Sequence, residues 1–239
     1  MYLSQLLVNT GDDPDKPRPG LAWIKQTYRV HQRIWMAFPD DDRRNEDPFF
    51  LGEWSNTAKP QRRDGGFLFR IEPDRPTRIL VQSVLKPDWE YAFQNAPYLL
   101  AEAPKVREFD PEFSFGQRFR FRLVMLMVKR RSKNHREEDP KAPLEVPIRC
   151  ENGDFSAWTN RLTEMAARHG FLAEHVQVQP NRNLRMKQQG DRQPRSFNAA
   201  LFDGLLACTD PELLKAAVIN GVGRGKAFGM GLLSLAIQK

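Results

Sequence analysis

Two side chains with acid–base chemistry lie three residues apart in the segment Tyr28-Arg29-Val30-His31. If this segment is helical, the spacing puts the phenol and the imidazole on one helix face. The unperturbed pKa of histidine is near ~6.5, so His31 is a candidate general acid or base with Tyr28 beside it. A hydrogen-bonded histidine within an apolar stripe is the alternative. The other histidines have no obvious partner, and no two histidines have the i, i+4 spacing of a helical metal site.

A second candidate site is the glycine-rich segment 221–231, in which five of eleven residues are glycine. Glycine lets the backbone approach a phosphate closely and turn several N–H groups toward it. The residues that we expect to contact a phosphate backbone are Gly223, Arg224, Gly225 and Lys226. The segment is not a Walker loop, which needs Ser or Thr after Gly-Lys, where this chain has Ala. A flexible connector ahead of a strand is the alternative.

A third candidate is the basic stretch 181–195, whose Gly-Asp turn is typical of a hairpin. A basic hairpin can lie along a nucleic-acid groove and contact phosphates and bases, or it can be a solvated surface feature. Its candidate RNA-binding residues are Arg182, Arg185, Lys187, Arg192 and Arg195. A row of arginines in segment 118–123 has the same two interpretations, because it could face RNA or water.

The predicted helices and strands that must position these residues form two similar halves. In the first half we predict strands at residues 2–8, 67–71, 79–85 and 118–123, and one helix at 21–38. In the second half we predict strands at 146–150, 172–178, 184–187, 197–207 and 232–237, with helices at 155–169 and 211–219. The order of the first half fits a ferredoxin-like unit, and the second half repeats that topology rather than its sequence. The predicted fold is α+β, with two tandem ferredoxin-like (RRM-like) domains at 1–128 and 146–239 and a linker loop at 129–145.

The amino-acid composition favours some classes of binding partner over others. The 239 residues include 37 Lys and Arg against 30 Asp and Glu, which favours nucleic acid as a partner and an anionic membrane surface second. No apolar run approaches the ~20 residues that span a bilayer, and the first residues lack signal-peptide features. The two cysteines, Cys150 and Cys208, are far apart and form no zinc-ribbon or disulfide pattern. We therefore expect a soluble cytoplasmic protein without a metal or cofactor.

Several separated segments together carry a family resemblance. They are Met1-Tyr2-Leu3-Ser4, Tyr28 to Pro39, Phe119-Arg120-Phe121-Arg122-Leu123, and the glycine-rich segment continuing into Leu232-Leu233-Ser234-Leu235-Ala236. With these segments the chain resembles the CasE family, the Cascade-associated CRISPR RNA endonucleases of type I-E systems. One departure is that the family commonly continues Arg-Ala-Asn-Pro after Leu123, where this chain has Val-Met-Leu-Met.

The resemblance implies two tandem ferredoxin-like domains, with His31 as the catalytic histidine and Tyr28 its neighbour at the scissile phosphate. It implies that the second-half basic hairpin contacts the stem of a CRISPR repeat hairpin, and that the protein joins the Cascade surveillance complex. The reaction expected from it is metal-independent attack by the ribose 2′-hydroxyl. Two other interpretations stay open: a non-catalytic RNA-binding protein, and a nucleotide-binding enzyme that uses the glycine-rich loop.

Overall fold

A computed structural model describes residues 1–11, 18–38, 66–72, 76–130, 145–150, 153–181, 185–186, 195–196 and 198–237. The first ferredoxin-like unit contains, in chain order, β1 (Tyr2–Leu7), α1 (Pro19–Ile24), α2 (Thr27–Trp35), β2 (Phe67–Glu72), β3 (Arg78–Ser83), α3 (Trp89–Phe93) and β4 (Lys105–Glu108). Its strands form an antiparallel sheet in the order β2-β3-β1-β4. Helix α2 packs on this sheet through Val30 and Ile34, which are fully buried.

The second part of the chain contains β5 (Arg118–Leu126), β6 (Val128–Arg130), β7 (Glu145–Pro147), α4 (Ser156–Arg168), β8 (Phe171–Asn181), β9 (Arg185–Met186), β10 (Arg195–Ser196), β11 (Ala199–Cys208), α5 (Pro211–Asn220) and β12 (Ser234–Ile237). Its main sheet has the order β12-β5-β11-β8. Numbered along the chain within each unit, the four strands of both sheets follow the spatial order 4-1-3-2, which is the ferredoxin-like arrangement. The prediction of two tandem ferredoxin-like units is confirmed.

The prediction that strand 118–123 closes the first unit is wrong. This strand, β5, pairs with β11 and β12 and is the first strand of the second unit. Its period-two pattern turns Phe119, Phe121 and Leu123 into the core that α4 and α5 cover, which is why it belongs there. The change between sheets therefore lies between β4 and β5, ahead of the predicted boundary at residue 128.

Segment 146–150 was expected to open the second unit, and this prediction is also wrong. Its described strand, β7, pairs with β6 and with no other strand in the described part of the chain. The two short strands extend into the predicted linker 129–145, whose residues 131–144 lie outside the described part of the chain. The strand predicted at 197–207 corresponds to β11, which is continuous and has a register shift between Asp203 and Leu205.

The helix predicted at 21–38 is divided into α1 and α2. The break falls at Gln26, whose backbone has φ −109° and ψ 78°, outside the helical region. The helices predicted at 155–169 and 211–219 are confirmed as α4 and α5, and Asp210 caps α5 by accepting a hydrogen bond from the Leu213 N–H at 3.0 Å. None of the helices in the described part of the chain is long and apolar enough to span a membrane.

Candidate active site

His31 lies on α2 and is half-buried in a cluster of aromatic rings. The ring centroid of Phe67 is 5.0 Å from that of His31, and the centroids of Tyr28 and Trp35 are 5.9 and 6.0 Å away. Phe69 lies 6.2 Å away. Phe67 and Phe69 belong to β2, so the histidine is held between its own helix and the neighbouring strand of the first sheet.

The Nδ1 atom of His31 is buried and has no hydrogen-bond partner among the described residues. A structural histidine has such a partner, as His169 does, whose Nδ1 lies 2.7 Å from the carbonyl oxygen of Met165. Burial lowers the pKa of His31 below its ordinary value. The imidazole is therefore neutral at neutral pH and can accept a proton, as a general base must.

Tyr28 and Trp35 present large apolar surface to solvent beside the imidazole. Their side chains are 43% and 45% exposed. The rings of Tyr28 and His31 stack with an angle of 28° between their planes, so the two residues share a helix face as their spacing predicts. Exposed rings of this kind can stack on unpaired nucleic-acid bases.

The glycine-rich loop, residues 221–231, reaches the same place from the second unit. Its 3₁₀ turn Lys226–Phe228 contacts α2, and the ring of Phe228 lies 5.9 Å from that of Tyr28. At Gly229, φ is +76° and a β-carbon would lie 3.2 Å from the Phe69 ring. The connector interpretation is therefore insufficient, because this glycine lets the loop pack closely against the wall that holds His31.

This loop also offers donors to an anion. The backbone N–H groups of Gly225, Lys226 and Ala227 donate to no acceptor among the described residues. Gly225 is in the left-handed conformation and the next residues are helical, an alternation that aims successive N–H groups at one point. Partial burial lowers the pKa of Lys226. Of the predicted phosphate-contacting residues, Lys226 belongs to the turn that contacts α2, and Gly223, Arg224 and Gly225 precede it in the same loop.

Comparison with known proteins places this arrangement in a family. A family model described as CRISPR associated protein matches residues 1–236. This chain belongs to the CRISPR-associated CasE family. The CRISPR-associated endoribonuclease Cse3 of Thermus thermophilus is 33% identical to it over 180 residues, which are 71% of this chain and 79% of the relative. The CRISPR system Cascade subunit CasE of Escherichia coli is 25% identical over 239 residues, 99% of each protein.

A solved structure of the CRISPR endoribonuclease Cse3 bound to a 19-nucleotide RNA has a TM-score of 0.70 to this CasE-family protein. The two share 26% sequence identity, and the match covers 98% of both chains. The likeness therefore includes both ferredoxin-like units, and it confirms the resemblance that the sequence segments indicate.

The predicted basic hairpin of this CasE-family protein is described only in part. Strands β9 and β10 pair antiparallel, with Arg195 opposite Met186 and Ser196 opposite Arg185. Strand β9 contacts α2, so the hairpin approaches the helix that carries His31. The other three predicted RNA-binding residues of the hairpin, Arg182, Lys187 and Arg192, lie outside the described residues.

The arginines of β5 lie in two different environments. Arg120 is exposed, whereas Arg122 donates to both carboxylate oxygens of Asp203 at 2.6 and 3.2 Å and to Glu72 at 3.0 Å. Arg122 therefore pairs with one carboxylate of each unit, although part of its side chain is exposed. Sequence reasoning missed its neighbour Arg70, which is only 3% exposed. The signal was an arginine inside the otherwise apolar start of strand Phe67–Glu72.

Proposed function

We propose that this CasE-family protein is a metal-independent endoribonuclease that binds the repeat stem-loop of precursor CRISPR RNA and cleaves it. One observation carries the proposal: the Tyr28–His31 pair of the first unit meets the loop turn Lys226–Phe228 of the second. An acid–base pair beside a cation and open N–H donors is what phosphodiester cleavage requires. The name of the 33% identical relative supports the same reaction.

The reaction starts from the ribose 2′-hydroxyl on the 5′ side of the scissile phosphate. This oxygen gives its proton to a base and attacks the phosphorus in line, while the 5′-oxygen leaves and takes up a proton. The products are a 2′,3′-cyclic phosphate and a 5′-hydroxyl. The phosphodiester supplies both the electrophile and the leaving group, so this route needs acid–base groups and charge stabilisation but no further reactant.

His31 suits the proton transfers because it is neutral before RNA binds. A phosphate that approaches the imidazole would favour its protonated form and raise its pKa again, so one residue can accept a proton and later donate one. Tyr28 orients the phosphate or assists the 2′-hydroxyl through its phenol. The division of proton-transfer roles between Tyr28 and His31 is the part of the scheme that a pH–rate profile resolves.

The glycine-rich loop stabilises the charge that develops on the phosphate oxygens. The ammonium group of Lys226 and the N–H groups of residues 225–227 supply donors that are in place before the reaction begins. Gly223 and Arg224 extend this surface along the backbone of the RNA. A preorganised donor set of this type is worth more in a partly buried site than in water, because less solvent competes with it.

The stem of the RNA hairpin is bound by the basic hairpin of the second unit. The contact of strand β9 with α2, and the pairing of Arg195 on β10 with Met186 on β9, support this assignment. Arg182, Lys187 and Arg192 belong to the same basic segment of the sequence. Phosphate contacts of this kind set the register of the duplex, so that one phosphate reaches the active site.

We also propose that the protein is a cytoplasmic subunit of a Cascade surveillance complex. The support is its match to the Escherichia coli protein named as the Cascade subunit CasE, which extends over 99% of both sequences. Retention of the cleaved hairpin by the basic surface would then connect RNA processing to assembly of the complex.

The decisive experiment uses a synthetic CRISPR repeat hairpin in EDTA, with cleavage and binding measured in parallel for wild type and His31→Ala. We expect wild type to cut, His31→Ala to bind without cutting, and a 2′-deoxy substitution at the cleavage site to stop cutting by wild type. The product ends should be a cyclic phosphate and a 5′-hydroxyl.

Tight binding with no cutting by wild type would replace the nuclease with an RNA-binding module. Cutting of the 2′-deoxy hairpin would exclude 2′-hydroxyl attack, and cutting that stops only in EDTA would exclude the metal-independent route.

A further inference from the structure

Strand β2 is a shared wall between the two halves of the active site. On one side its Phe67 and Phe69 rings pack around His31. Its next residues reach the glycine-rich loop. A β-carbon at Gly221, where the loop begins, would lie 2.9 Å from Leu68. Three consecutive residues of β2 thus border this segment: Leu68 at Gly221, Phe69 at Gly229, and Arg70 at Leu232, which follows the loop.

The contact at the end of the loop is made by Arg70. Its Nη1 donates to the carbonyl oxygen of Leu232 at 3.0 Å, one residue past the loop, and its Nη2 donates to Ser234 Oγ at 2.9 Å. The same guanidinium donates through Nη1 to the carbonyl oxygen of Arg122 at 3.1 Å and through Nε to Glu72 at 2.7 Å. Arg70 therefore joins the wall of the first unit to two strands of the second.

A buried arginine in this position needs an explanation. A charged group that is removed from water costs free energy unless it is paired, and an aliphatic side chain could fill the same space between the sheets. The guanidinium offers something that an aliphatic group lacks, namely five donors in a planar fork with fixed directions. Here that fork fixes Leu232, Ser234 and β5 relative to β2, and therefore relative to the rings that hold His31.

We propose that Arg70 is a positioning residue that fixes the glycine-rich loop against the His31 wall, so that acid–base groups and phosphate donors are aligned on one phosphate. This inference rests on the proposed nuclease function. Because Arg70 is only 3% exposed, its proposed role does not include contact with RNA. It acts through the loop, whose misplacement by a small distance is enough to slow a reaction that depends on alignment.

The test compares three variants with a control. Arg70→Met keeps the length of the side chain and removes the fork, while Glu72 keeps its ion pair with Arg122. Arg70→Lys keeps the charge but cannot reach the separate acceptors together. Ser234→Ala removes one acceptor and is the mildest change. The control, Leu162→Ala, opens a cavity at helix α4 in the second core, which includes no residue of β2, and lowers stability without removing a hydrogen bond of Arg70.

Two quantities are measured for every variant: the single-turnover cleavage rate at saturating protein, and the affinity for an uncleavable 2′-deoxy hairpin. For Arg70→Met we expect the cleavage rate to fall on the order of 10²-fold while the affinity changes only several-fold. Arg70→Lys should fall between Arg70→Met and wild type, and Ser234→Ala should lose only a few-fold. Leu162→Ala should cut at the wild-type rate at temperatures where it is folded.

Amide hydrogen exchange supplies a readout that does not depend on catalysis. The reporter amides are those of Val222 and Gly231, which donate to Gly231 and Val124 carbonyl oxygens at 2.9 and 2.8 Å. We expect their exchange to accelerate in Arg70→Met and Arg70→Lys, and not in Leu162→Ala. If Arg70→Met does not fold, Arg70→Lys and Ser234→Ala decide the question.

Folded Arg70 variants that cut at the wild-type rate would overturn the inference and leave the proposed nuclease untouched. So would slower cutting without faster exchange in the loop, or an equal rate loss in Leu162→Ala. If wild type itself does not cut the hairpin, both the proposed function and this inference fall.

Discussion

The first long helices of the two units occupy equivalent places in the same topology but expose different surfaces. Helix α2 turns Tyr28 and Trp35 to solvent, 43% and 45% exposed, with a half-buried histidine between them. Helix α4 buries its tryptophan, Trp158, and on its outer side pairs Arg161 with Glu164 at 2.8 Å. Helix α2 therefore exposes aromatic rings, whereas α4 exposes an ion pair.

The helices that precede the last strand of each unit, α3 and α5, differ in length. Helix α3 has five residues, whereas α5 has ten and leads directly into the glycine-rich loop. In the proposed mechanism, the first unit supplies the acid–base groups and the second supplies donors for the phosphate. Neither unit contains the whole site, which explains why the contact between the units, at β2 and the loop, bears on catalysis as well as on stability.

The largest effect should come from His31, and the sharpest comparison is with His169, the histidine that follows α4. His31→Ala should reduce the cleavage rate by on the order of 10²–10⁴-fold, because it removes a proton-transfer group whose Nδ1 has no partner among the described residues. His169→Ala should cut within a few-fold of wild type, because its Nδ1 is already hydrogen-bonded to Met165. Single-turnover cleavage of the repeat hairpin measures both.

Equal losses in the two variants would mean that the difference between the helices does not lie in their histidines. Affinity for the 2′-deoxy hairpin is the control, since neither substitution should change it more than a few-fold.

The next effect should come from the lysine in the loop turn. Lys226→Ala should slow cleavage by on the order of tenfold or more, because it removes a cation near the developing phosphate charge but leaves the backbone donors in place. Lys215→Ala is the matched control on α5, where the lysine lies 4.0 Å from Asp110. Cleavage at low and high salt separates a local role from general attraction of RNA. A comparable loss in both variants would favour general attraction.

The candidate site could be predicted only where a short segment of sequence contains it. The Tyr28–His31 spacing is local, so a helical period was enough to place both residues on one face. The hydrogen-bond partners of the buried Arg70 could not be predicted, because the acceptors Leu232 and Ser234 lie more than 160 residues away. The meeting of β9 with α2 is a contact of the same long-range kind.

In the fold, too, local features could be predicted and long-range contacts could not. The alternation in segment 118–123 predicted a strand but not its sheet, since period two says which face is buried and not which neighbours pair with it. The break between α1 and α2 falls at Lys25 and Gln26, both favourable helix formers, so local propensity gave no sign of it. Tertiary packing decided both features.

Two substitutions of Tyr28 separate the effect of ring stacking on the exposed face of α2 from the effect of the hydroxyl group. Tyr28→Phe keeps the ring beside His31 and Phe228 and removes the phenol, whereas Tyr28→Ala removes both. We expect Tyr28→Phe to lose several-fold in cleavage rate at unchanged affinity, and Tyr28→Ala to lose affinity as well, because base stacking is worth about 1–3 kcal/mol. Identical behaviour of the two variants would mean that the hydroxyl does nothing beyond the ring.

The smallest effect is a dependence of stability on pH that belongs to the first unit. Burial lowers the pKa of His31 in the folded protein, so the unfolded chain binds a proton more readily than the folded one does. The folded state therefore loses stability as pH falls from the unfolded pKa, about 6.5, to the folded pKa, and no more below it. Urea midpoints at pH 8 and pH 5 measure the loss, and His31→Gln should make it smaller. If His31→Gln and wild type lose the same stability between these pH values, titration of His31 is not the cause of the loss.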